Sequence, residues 1–186
     1  MAAKFGVYDS LLLQYLSISA NKTNFQKDFM AKLIWSKDLN TGIDVIDRQH
    51  QRIVEYINEL DGARASSHKY KLEEVGRIID ETVDYTLSHF AFEESMQEEA
   101  HYPFMKAHKK VHELFTSKVA DLQHRFGQGE DVSEELHKML FTWLFNHIKR
   151  DDADYVEYVN KNIQQGTFIE KKKGFFGRLF GQSATA

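Results

Sequence analysis

Seven side chains of metal-binding type recur along this chain at fixed helical spacings. They are His50, then His89 and Glu93, then His108 and His112, then His147 and Asp152. The His89/Glu93 and His108/His112 pairs each sit four residues apart, which on an α-helix puts both side chains on one face, about one turn apart. Imidazole and carboxylate together suit divalent first-row metals. Five imidazoles and two carboxylates are more than one ion needs, and they suit two ions held side by side inside a helical bundle. A single pair of this kind arises readily by chance in a chain with nine histidines; seven residues from four separate segments do not. The last pair is awkward. Residues five apart on an ideal helix are about 140° apart, so Asp151, four residues after His147, fits simple geometry better than Asp152.

Helices must position these groups. The 186 residues include one proline, Pro103, so helix ends fall to Gly, Asn, Asp and Ser, as in an all-α protein with long helices. Residues 34–46, with Trp35, Asn40 and Gly42, read as an irregular lead-in. Ile46, Ile53, Ile57 and Leu60 recur at helical spacing and predict a first helix from Asp47 to Leu60, ended by Asp61-Gly62 and Ser66-Ser67. A second should run from Leu72 to Glu98 on a buried stripe of Val75, Ile78, Ile79, Val83, Leu87 and Phe90. After the turn His101-Tyr102-Pro103, a third should open near the proline, reach Arg125 and close at Gly127-Gln128-Gly129. Ser133 followed by Glu134 and Glu135 favours a fourth start, running to Ile163. Short connections imply an antiparallel up-down-up-down four-helix bundle with N- and C-terminal extensions. The expected division is an extension over 1–33, the bundle over 34–163 and a tail over 164–186. In such a bundle all four ligand segments can fall in one layer.

Composition narrows the function. Apolar residues make up 42% and aromatics 13%, with 14 Phe, a globular balance. The formal charge of −4 offers no case for nucleic acid. The absence of cysteine excludes disulfides, iron–sulfur clusters and thiolate metal sites. No run of 18 apolar residues predicts a transmembrane helix, and no cleaved signal peptide is read, so a cytoplasmic protein is expected. Two short amphipathic stretches, 8–18 and 24–33, precede the lead-in and could cover a bundle face or an oligomer contact. In the tail, Phe175, Phe176, Leu179 and Phe180 fall on one side if helical, with Lys171 to Lys173 and Arg178 around them. Residues 171–181 therefore read as a basic amphipathic element for an anionic membrane surface or a partner's groove, or as a disordered tail, since three glycines weaken the helix.

The ordered set His, HxxxE, HxxxH, HxxxxD resembles the hemerythrin family in its bacterial single-domain form. The flanking text agrees: "IWSKDLNTGIDVIDRQHQRIV" is similar to the family's lead-in, "HFAFEESM" to the segment around its bridging Glu, "YPFMKAHKKVHELF" to its paired-His helix, and "WLFNHIKRDDADY" to its last ligand helix. The resemblance covers about residues 34–158. It implies one iron held by His108, His112 and His147, and a second held by His50 and His89 with an open position. Glu93 and Asp152 would bridge the pair, with a solvent-derived oxo or hydroxo group as third bridge. The family spacing thus selects Asp152, reached through a local helix distortion or from the adjacent face, and leaves Asp151 an exposed neighbour. Dioxygen would bind the reduced iron at the open position and leave as dioxygen.

A ligand set of mostly neutral imidazoles should disfavour O–O cleavage, because anionic ligands are what stabilise high-valent iron. Leu144, one turn before His147, is placed to line an oxygen pocket, with Trp143, Phe90, Ile148 and Ile53 as further candidates. The leading expectation is a dioxygen-binding protein for storage, delivery or buffering, and not an enzyme. The alternatives are an oxygen or redox sensor signalling through its tails, a di-iron peroxidase or nitric oxide-reacting enzyme, and a scaffold for another metal such as zinc. His68, His101, His124 and His137 are expected to be solvated; Tyr155, one turn past Asp152, is expected to be an ordinary core tyrosine, with a hydrogen bond near the site as the alternative.

Overall fold

The computed structural model describes residues 32–65 and 68–162. The two N-terminal amphipathic stretches, the Ser66-Ser67 loop and the basic tail lie outside the described residues, apart from Lys32 and Leu33. Among the described residues the chain is helical, with no strand. Helix α1 spans Asp44–Arg64, α2 His68–Glu99 and α3 Met105–Gly127. The fourth rod consists of α4, Ser133–Asn146, a π-helical segment His147–Asp152, and α5, Ala153–Asn162. No described helix is long and apolar enough to cross a membrane.

Cross-helix pairs show the antiparallel register. Gln49 meets His89, and Glu59 meets Arg77, between α1 and α2. Asp80 meets Gln123, and Glu94 meets Lys109, between α2 and α3. Phe115 packs on Trp143 between α3 and α4. Asp61 meets His137, and Asp152 meets His50, which closes the ring from the fourth rod back to α1. The up-down-up-down bundle is the one expected.

Several boundaries shift. Helix α1 starts at Asp44 and runs through Asp61 and Gly62 to Arg64, because Gly62 costs a helix only about 1 kcal/mol and neither residue is forced out of helical backbone. Pro103 lies in the turn before α3, which starts at Met105 behind Phe104. Gly127 stays helical, and the chain breaks at Gly129, whose φ of +89° suits glycine.

The buried face of α2 also differs. Val75, Ile78, Ile79 and Phe90 are buried, but Leu87 is 51% exposed. The inner line runs instead through Thr82, Thr86, His89, Glu93 and Gln97, all fully buried. Apolar periodicity points off that line because the core-facing positions are polar. Beside this layer an apolar cluster of Ile43, Ile46, Phe92, Met96, Ala100, Tyr155, Val156 and Val159 packs the end of the bundle.

The lead-in is ordered. It makes a 3₁₀ turn over Lys37–Leu39, buries Leu39, and donates from the Thr41 and Gly42 amides and the Thr41 hydroxyl to the Asp47 carboxylate. Gly42, at φ +85°, turns the chain into α1.

Candidate metal centre

Each helix delivers its share of the seven side chains to one layer. α1 brings His50 from its second turn, α2 brings His89 and Glu93, and α3 brings His108 and His112 from its first two turns. The fourth rod brings His147 and Asp152 at the two ends of the π-helical segment. Hydrogen bonding from i to i+5 stacks residues five apart, so winding resolves the awkward spacing and turns Asp152 inward. All seven are at most 5% exposed. Asp151, one-third exposed, approaches the outer edge of His147, with Oδ2 3.4 Å from Nδ1.

The two carboxylates divide the imidazoles into two groups. Glu93 turns Oε1 toward His89 Nε2 at 3.7 Å, and Oε2 toward His108, His112 and His147 Nε2 at 3.5, 3.2 and 3.5 Å. Asp152 turns Oδ2 toward His50 Nε2 at 3.2 Å, and Oδ1 toward His147 and His108 Nε2 at 3.1 and 3.8 Å. Each carboxylate therefore presents one oxygen to a two-histidine half (His50, His89) and the other to a three-histidine half (His108, His112, His147). Ligand bonds of about 2.0–2.2 Å leave neighbouring donors on one ion roughly 3–3.5 Å apart, and all but two of the carboxylate–imidazole approaches here, those of Glu93 to His89 and Asp152 to His108, fall in that range.

Apart from Glu93 Oε1, the converging nitrogens and oxygens have no hydrogen-bond partner. The Nε2 atoms of all five histidines, Glu93 Oε2 and both Asp152 oxygens are buried without a hydrogen-bond partner. A buried polar atom left unpaired costs about 1–3 kcal/mol. So many converging on one spot fit cations as the missing partners.

Groups behind these histidines fix their orientation. Gln49 Oε1 accepts from His89 Nδ1 at 2.8 Å, and Glu94 Oε1 lies 3.2 Å from His112 Nδ1. Such outer partners hold the ring tautomer that leaves Nε2 free for a metal. The Tyr155 hydroxyl donates to Glu93 Oε1 at 2.8 Å, so this tyrosine serves the site as well as the core. Phe90 stacks on His112 at 3.9 Å and Trp143 on His147 at 4.2 Å, both against the three-histidine half. Leu144 is fully buried one turn before His147. Gln49 and Glu94 were missed in the sequence; the available signal was adjacency to His50 and Glu93 on predicted helices. His137 corrects the expectation of a solvated ring: it is 5% exposed and pairs with Asp61 at 3.1 Å, far along the bundle from the site.

The electrostatics of the two halves differ. Burial pushes the His50 ring down to about 4 and His89 well below its usual value, against the opposing pull of Glu93. These two rings are neutral at pH 7. Burial also disfavours charge on His147, but Asp152, Asp151 and Glu93 outweigh it and raise that ring to about 10. Burial and the neighbouring Glu93 raise Asp152 to about 8. Burial would raise Glu93 too, but His89 and the facing histidines hold it well below the usual carboxylate range. His147 and Asp152 thus each carry a proton at neutral pH that a cation must displace. Loading the protein with zinc or cobalt at pH 7 should release about two protons per chain, read with a pH indicator in weak buffer. Release should fade as pH rises toward 10. Below pH 4 the two-histidine half should begin competing for protons, and affinity should drop steeply. Loading at pH 7 without proton release would overturn this account of the pair.

Comparison with known proteins follows the same residues. The sequence model of the hemerythrin HHE cation binding domain matches residues 41–159. The bacteriohemerythrin of Stenotrophomonas maltophilia (strain R551-3) is 52% identical over 149 residues, covering 80% of this chain and 95% of that protein. The bacteriohemerythrin of Pseudomonas aeruginosa (strain LESB58) is 50% identical over 156 residues, covering 80% of this chain and all of that protein. A crystal structure of wild-type hemerythrin superposes with a TM-score of 0.64 at 29% identity, over 69% of this chain and 98% of that one.

Proposed function

This chain belongs to the hemerythrin family, and from that premise we propose that it binds dioxygen reversibly at two non-haem iron ions, as a store, carrier or buffer rather than an enzyme. The observation that carries the reading is the division of donors by Glu93 and Asp152 into a three-histidine and a two-histidine half. When bound, the iron pair supplies the dioxygen-binding position and the electrons that dioxygen borrows. His108, His112 and His147 would hold one ion and His50 and His89 the other, with Glu93 and Asp152 each lending an oxygen to both. With two imidazoles and two carboxylate oxygens, the two-histidine half is the one short of ligands, and so the one left for dioxygen.

The protein's own contribution is orientation and exclusion of water. Gln49 and Glu94 hold ligand rings from behind, and Tyr155 steadies the Glu93 carboxylate at the oxygen that faces His89. Complete burial of His50, His89, Glu93 and Asp152 keeps bulk water from the centre. Leu144 is the pocket residue we favour; Phe90 and Trp143 back the ligand rings of the other half and shape the wall from there.

The test is the optical spectrum of the purified full chain, reduced without air and then exposed to oxygen, with iron counted. A colourless form that turns pink, reverses under vacuum and holds about two irons per chain is expected. Iron bound without reversible oxygenation would refute the carrier reading.

A further inference from the structure

On the carrier reading above, we propose that Trp35 is a gate over the two-histidine half, setting how fast, and up to what size, exogenous ligands reach it. Four ligand rings have an aromatic partner from a bundle helix: Phe90 on His112 and beside His89, Trp143 on His147 and Tyr155 edge-on to His108. His50 is different. Among the described residues, its aromatic partner from outside the ligand set is Trp35, at 6.3 Å between ring centroids and 30° between planes. Trp35 comes from the non-helical lead-in and is only partly buried. The half that would take dioxygen thus has the aromatic cover of one of its two rings, His50, on a segment that can lift, while the other four ligand rings are backed by rigid helices.

The lead-in is anchored by buried Leu39, and its outer end around Trp35 is latched rather than packed. The Trp35 indole N–H donates to Asn40 Oδ1 at 2.8 Å, closing a small loop around the 3₁₀ turn. Beyond that loop Thr41 and Gly42 donate to Asp47, one turn before His50. Lys149, in the π-helical segment, donates to the Asp38 carbonyl. Ile34, next to the tryptophan, is 82% exposed, so the outer end of the segment is not buried in the bundle. Outside the Leu39 anchor, a few polar latches with little apolar burial mark an outer end that opens locally at small cost. Opening would uncover His50 without unfolding any helix.

The test uses the full-length, iron-loaded diferric protein and two anions of different length, azide and thiocyanate, followed by stopped flow. A closed state that opens about a tenth of the time or less slows entry by about tenfold or more. Trp35→Ala should therefore raise azide association at least tenfold and thiocyanate association by a larger factor, and Trp35→Phe should restore most of the barrier. Loss of iron to a chelator should accelerate in parallel, and thermal melting of the metal-free protein gives the purely structural effect. A tryptophan that only stabilises the fold would lower the melting midpoint and leave the azide-to-thiocyanate ratio unchanged; that result, or unchanged rates for both anions, overturns the gate. Because azide reports on any iron-loaded centre, a gate that fails is distinguishable from a protein that binds iron but not oxygen.

Discussion

Glu93→Gln should reduce bound iron from about two ions per chain to one or none and abolish the oxygen-linked colour change. Glu93 is the one side chain that faces four ligand imidazoles, His89, His108, His112 and His147, within 3.2 to 3.7 Å, and it spans both halves. The amide keeps the shape and the Tyr155 hydrogen bond but loses the charge, and it turns one oxygen into a donor aimed at nitrogens that must face a cation. Changes in groups behind the ligands cost about 10–100-fold in metal affinity, and loss of a shared ligand should exceed that. The metal-free variant should still be helical, since the apolar cluster at the end of the bundle is untouched. Its stability at neutral pH should fall modestly, because His147 loses one of its buried counter-charges while Asp152 remains beside it. Iron analysis with circular dichroism separates the two effects. Two irons and an unchanged spectrum in Glu93→Gln would refute the bridging role.

Asp152→Ala and Asp151→Ala should differ sharply despite being adjacent. Asp152 is fully buried with its two oxygens directed at different halves, so its loss should remove the second bridge and the di-iron spectrum. Asp151 reaches only the outer nitrogen of His147, at a loose 3.4 Å, so its loss should weaken metal binding by about tenfold at most. The pH behaviour should separate them too. Without Asp152, His147 loses the largest of the attractions that hold its proton, so proton release on metal loading at pH 7 should diminish. Loss of the spectrum in Asp151→Ala with its retention in Asp152→Ala would reverse the assignment.

Much of this was legible in the sequence, for a physical reason. Ligands must be specific residue types on the inner faces of helices, and helical spacing converts that need into HxxxE and HxxxH. The structure brings all seven side chains into one layer. Other features were hidden for reasons just as definite. The buried line of α2 misled because Thr82, Thr86 and Gln97 occupy core positions that apolar periodicity cannot see. The burial of His137 depends on Asp61, 76 positions earlier, a contact only the folded register creates. Gln49 and Tyr155 act through partners on other helices, so their positions beside His50 and one turn past Asp152 could not name His89 and Glu93 as those partners. The π-helical winding at His147–Asp152 left a trace only as a spacing that did not fit.

That winding also acts as an angular register. It inserts extra arc into the fourth rod at the metal layer, and α5 leaves with its azimuth set there. In this setting Tyr155 reaches Glu93, and Val156 and Val159 face the core. Deleting one residue to restore α-helical winding would turn everything downstream by about 100° around the rod. Tyr155 would swing off the carboxylate and Val159 would point toward water. The direction in which the chain emerges at Asn162 is therefore dialled by the same six residues that carry His147 and Asp152.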